Sequence, residues 1–214
     1  MSDAENGGMT KLSIFLAAAL IGAAALAAQP GRFVGKVVVE LLDDVEYDHK
    51  LKLLEDFGYE DPAGKLWLAR KGGILDGSPI PDELRSLGGV PVVGDYRKAS
   101  IVHDYFCRAR TEPWKQAHRM LYSASLAEGL TPPEAKLLYL AVYAGGWRWE
   151  VPGSSCYASC HASAASLAWK PAATQDELRP LVAWINEADP GLEDIERKVD
   201  GAIRKPGPHF FAQR

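Results

Sequence analysis

Strand-like sequence is gathered between residues 32 and 75, and helical sequence follows it from residue 95 onward. A chain that uses its extended segments before its helices lacks the alternating pattern of a parallel sheet. It predicts an α+β fold, a small antiparallel β-sheet followed by three helices. Phe33–Leu42 is rich in β-branched and aliphatic residues and runs into an acidic turn that begins at Asp43. Leu51–Tyr59 and Lys65–Arg70 alternate apolar with polar residues in places, and Asp61-Pro62-Ala63-Gly64 between them is turn chemistry. A hairpin is expected there. Lys71-Gly72-Gly73 then turns into Ile74-Leu75-Asp76.

Punctuation residues mark the helices. Asp95 is placed to cap a helix reaching about Arg110, with Ala99, Val102, His103 and Phe106 on one face. Thr111 and Pro113 open a second, Trp114 to Glu128, and Gly129 closes it. Thr131, followed by Pro132, Pro133 and Glu134, opens a third that stops at Gly145-Gly146. Thr174–Ala188 and Gly191–Lys205 predict a C-terminal helical hairpin. The Gly- and Pro-rich stretch from Gly77 to Val93 is a loop of a length more often functional than idle. The expected organisation is residues 1–31 as a hydrophobic segment, 32–147 as the α+β domain and 148–214 as a helical tail.

The hydrophobic segment sets the expected location. Leu12 to Ala28 holds no charged residue and ends in small residues before Gln29-Pro30-Gly31. This fits a signal peptide cleaved near Ala27, or a membrane anchor if it stays uncleaved. Either reading puts the remainder in a bacterial periplasm or on the inner membrane. With a net charge of -4 and no Lys/Arg run, nucleic acid is excluded as an expected partner. In an oxidising compartment Cys156 and Cys160 are candidates for a local disulfide, although their spacing demands a bent loop.

Within the first helix, His103, Asp104 and Cys107 crowd into five positions. His103 and Cys107 lie one turn apart on one face, and Asp104 is rotated about 100° away. A Cys107–His103 dyad is possible on spacing alone. The C-terminal end of a helix disfavours a thiolate, so Cys107 reads better as a small core residue.

Leu75-Asp76-Gly77-Ser78-Pro79-Ile80-Pro81, then Ala99 to Arg108 around His103-Asp104-Tyr105, then Leu138 to Tyr143, together resemble the phage and bacterial domain of unknown function 1353. The likeness runs from about Val37 to Trp147. The family's Ser in its A-S-I-P stretch falls on Pro79, and the Asp of its A-D-R motif falls on His118. Asp76 leaving the last strand, His103 pointing inward from the first helix, and His118 or Asp104 close by would together form a site. That set would hold a divalent metal such as zinc. Without metal, His103 would serve as general base with Asp76 fixing its tautomer. The implied function is an envelope-located hydrolase-like protein acting on peptidoglycan. The alternative is a non-enzymatic, phage-derived binding or structural module, with an envelope protein as partner, in which His103 and Asp76 are architectural.

Overall fold

The computed structural model describes residues 31–42, 50–76, 96–149, 151, 168–169 and 175–202. Its architecture is α+β, with antiparallel strands in the N-terminal half and helices after them. The hydrophobic segment, Asp95, the Gly77–Val93 stretch, Cys156 and Cys160 fall outside the described residues.

The strands are β1 (Arg32–Gly35), β2 (Val39–Leu42), β3 (Lys50–Leu53), β4 (Phe57–Glu60), β5 (Leu66–Ala69) and β6 (Ile74–Leu75). They pair in the orders β1-β4-β5 and β2-β3-β6. The register makes these two sheets one meander. Arg32 faces Glu60 and Val39 faces Leu53 in a single continuous offset, and Leu54 N–H donates to Val38 O at 2.8 Å between the two ladders. The expected strands Phe33–Leu42 and Leu51–Tyr59 are therefore each bent in the middle. Gly35 permits the first bend. It has φ +86°, and a Cβ there would lie 2.7 Å from Asp56 O. Asp56 fixes the bend by accepting from Arg70 Nη1 at 2.9 Å and Lys71 N–H at 2.8 Å. The Lys71 amide, then Arg70, holds its carboxyl below the usual carboxylate range.

The predicted hairpin joins β4 to β5. Asp61 accepts the Gly64 amide at 2.9 Å on its carbonyl, and the Ala63 and Lys65 amides at 2.9 and 3.0 Å on its carboxylate. An Asp at the first turn position does this by its reach to the backbone two residues on.

Five helices are described: α1 (Arg97–Ala109), α2 (Trp114–Glu128), α3 (Pro132–Gly145), α4 (Gln175–Ala188) and α5 (Leu192–Ala202). A short pair, β7 (Arg148–Trp149) with β8 (Ala168–Trp169), lies between α3 and α4. Helix α1 starts after Tyr96, which makes no side-chain cap. Its first amides are capped from a distance: Glu128, at the end of α2, accepts the Lys98 amide at 3.0 Å and the Ala99 amide at 2.9 Å. The Thr131 start behaves as the sequence implies, with Glu134 accepting the Thr131 amide at 2.9 Å.

Helix α1 lies on β4, β5 and β6, α2 lies on α1, and α3 on α2. Trp67 meets Phe106 edge-on at 5.1 Å, and Tyr59 bonds Ser123 at 2.7 Å, so sheet and helices share a core. Helix α3 is buried from Ala135 to Ala144, because the tail covers the side that α2 leaves open. Leu178, Leu181, Ile185, Ile195 and Val199 of α4 and α5 join the same apolar core.

Candidate functional site

Two helices build the site. His103 and Cys107 project from one face of α1, and His118 projects from α2 toward them. His103 is 3% exposed and His118 0%. Their rings meet at 5.1 Å between centroids, with His103 Nε2 2.9 Å from His118 Nδ1. One nitrogen must carry the proton and the other accept it. Cys107 Sγ lies 3.5 Å from His103 Nε2. Trp114 and Trp149 stand edge-on to the His118 ring at 5.6 and 6.1 Å.

Both rings are neutral here. Burial pushes His103 down to about 3. Burial, then His103 and Arg148, pushes His118 well below the ordinary histidine value. The Trp147 backbone favours the protonated ring by less, although no partner of His118 Nε2 satisfies hydrogen-bond geometry. Cys107 is half-buried as a residue, but the protein packs closely around its sulfur. Burial, then Asp104, pushes its thiol well above the normal range, as a core cysteine requires and a nucleophile does not.

Asp76 does not join this cluster. It is exposed (side chain 55%) and pairs with Arg108 Nη1 at 2.9 Å and Lys50 Nζ at 3.5 Å. Two alternations put it there. Leu75 is fully buried, so the next residue points to the other side of the strand. Arg108, five residues after His103, lies about 140° around α1 from it. The expected Asp76–His103 contact is replaced by a surface ion pair, while the expected nearness of His118 to His103 is found. Asp104 is buried beside the cluster and acts on Cys107 through its charge. The ligand-type group that the expected set lacked is Cys107; its spacing of one helical turn from His103 was the signal.

Residues 51–142 match the sequence model of a family described as "Protein of unknown function (DUF1353)". This stretch is a DUF1353 domain. Two relatives from Sinorhizobium fredii are similar to the chain. "Uncharacterized protein y4iH" is 43% identical over 120 residues, 55% of this chain and 50% of the relative. "Uncharacterized protein y4jT" is 38% identical over 98 residues, 46% of this chain and 29% of the relative. The chain thus spans half the length of the first and less than a third of the second. No solved structure matches.

All three cluster residues fall inside the DUF1353 domain. A second buried polar cluster joins that domain to the tail. Glu196 of α5 is 4% exposed and accepts from Lys115 Nζ at 2.5 Å, Arg119 Nε at 2.7 Å and Tyr139 Oη at 2.6 Å. Burial alone would raise its carboxyl. The hydrogen bonds from Arg119, Lys115 and Tyr139 outweigh burial and hold it below the usual value. Tyr143 adds a bond to Asp200 at 2.8 Å. Nothing in the spacing of Glu196 against Lys115 and Arg119 marked them as partners, since 77 residues separate Arg119 from Glu196.

Proposed function

We propose that the DUF1353 domain of this chain works as a non-enzymatic binding or structural module in which His103 and Asp76 are architectural. The observation that carries this reading is the setting of His103: buried, neutral, and bonded to a second buried imidazole rather than to a carboxylate. A general base needs a proton to take and a path to it. A ring on the inner face between α1 and α2 instead joins the two helices, and Asp76 joins β6 to the outer face of α1. The apolar segment 12–28 and the acidic net charge favour a partner in the bacterial envelope, peptidoglycan or an envelope protein, over nucleic acid.

The test compares wild-type protein with His103→Ala for cell-wall turnover and for thermal stability. The module reading expects no turnover by either protein and a lower Tm for the variant. Turnover by the wild type that His103→Ala abolishes at unchanged Tm would overturn it in favour of the hydrolase.

A further inference from the structure

We propose that His103, Cys107 and His118 form a binding site for one zinc-type transition-metal ion, a site that ties α1 to α2. The His103, Cys107 and His118 ligand atoms all lie within 4.8 Å of one another. Two come from one face of α1, one turn apart, and the third from the helix packed against it. The arrangement therefore follows from the helix pairing and does not depend on a loop.

Distances fit such an ion. Zinc sits about 2.0 Å from an imidazole nitrogen and about 2.3 Å from a thiolate sulfur. Tetrahedral angles then place two ligand nitrogens roughly 3.3 Å apart and a nitrogen and sulfur roughly 3.5 Å apart. Cys107 Sγ stands 3.5 Å from His103 Nε2 and 3.8 Å from its Nδ1, so the sulfur lies beside the ring and must turn about its side-chain bond to face an ion on Nε2. The two histidine nitrogens, at 2.9 Å, need to separate by only a few tenths of an ångström. Two imidazoles and a thiolate select zinc-type ions over calcium or magnesium, which take oxygen ligands. One tetrahedral position is left for water.

The surroundings support the same conclusion. Without an ion, His103 and His118 share one proton between the facing nitrogens, so two tautomers of His118 compete and only one puts a proton on its buried Nε2. An ion on Nδ1 fixes the proton on Nε2, facing the Trp147 backbone that already favours the protonated ring. Gly146 makes this approach possible, because a Cβ there would lie 3.2 Å from Nε2 and 2.2 Å from Val142 O. Charge is also met: one thiolate from Cys107 and the nearby buried carboxylate of Asp104 offset the two positive charges of the ion. Binding releases the Cys107 proton to solvent.

The full chain, carrying Cys156→Ser and Cys160→Ser so that Cys107 is the single thiol, is stripped with chelator and titrated with Zn²⁺ and separately with Co²⁺. The proposal expects one equivalent of zinc per chain by elemental analysis and a Tm that rises with free zinc. It also expects a thiolate-to-cobalt charge-transfer band. Cys107→Ser in that background, with its fold checked by circular dichroism, should lose the band and weaken zinc binding by about tenfold or more. Absence of retained zinc and of any Tm shift would overturn the site, and so would a cobalt band that survives Cys107→Ser.

Discussion

Helix α2 carries two buried polar clusters on different sides, and they differ in every physical respect. Toward α5, Lys115 and Arg119 hold a charged carboxylate that also accepts from Tyr139. Toward α1, His118 meets His103 and Cys107, all three uncharged, and one buried nitrogen has no partner. Position 118 and position 119 are adjacent in sequence, yet about 100° of helix rotation sends one to each cluster. A charged group taken out of water needs several donors at once, and Glu196 has them. Neutral rings cost less to bury and tolerate an incomplete set. The first cluster is thus an anchor whose parts are needed together, and the second is a place where something can still be added.

Removing both cations should break the anchor most severely. Lys115→Met with Arg119→Met leaves a buried carboxylate with Tyr139 alone and should cost about 3–5 kcal/mol in urea unfolding. A loss below about 1 kcal/mol would mean that Glu196 reaches water and that the contrast between the clusters is false. The zinc-free imidazole pair should respond differently. His118→Leu alone leaves His103 Nε2 with only the weak contact to Cys107 Sγ and should cost about 1–3 kcal/mol. Adding His103→Leu should recover part of that loss, because it removes that nitrogen. Additive losses would show that each ring has a separate role.

Acid sharpens the comparison next. The folded carboxyl of Glu196 lies below its value in the unfolded chain, near 4.5, so its contribution is complete above that pH. It declines as pH falls through the unfolded value toward the lower folded one. The urea midpoint of wild type should therefore fall more steeply below pH 4.5 than that of Glu196→Gln; parallel curves would remove Glu196 from the acid response. The smallest effect is expected at Asp76. Asp76→Asn breaks an exposed ion pair and should change stability by less than about 1 kcal/mol. A larger loss in the same melt, or a loss of bound zinc, would place Asp76 back in the inner cluster.

Sequence reading reached what neighbouring residues decide. The Asp61 turn, the Thr131 start and the Gly129 stop rest on backbone needs that local side chains satisfy, and each is found where expected. The nearness of His103 and His118 was also legible once two adjacent helices were placed side by side. What escaped depends on direction and distance along the chain. Asp76 sits one residue from the expected inward face, and period-two alternation turns it outward beside a buried Leu75. Cys107 was read for its reactivity rather than for its ligand chemistry. Glu196 finds its partners 77 and 57 residues away at Arg119 and Tyr139, and no local pattern encodes such a meeting.

The carboxylate that finishes the first turn of α1 belongs to Glu128, 30 residues further along. During synthesis, residues 97–109 leave the ribosome before the group that completes them exists. Their helix is thus conditional on its neighbour, and the two become ordered as a hairpin. A free peptide of residues 97–109 should accordingly be far less helical than a peptide of residues 97–128.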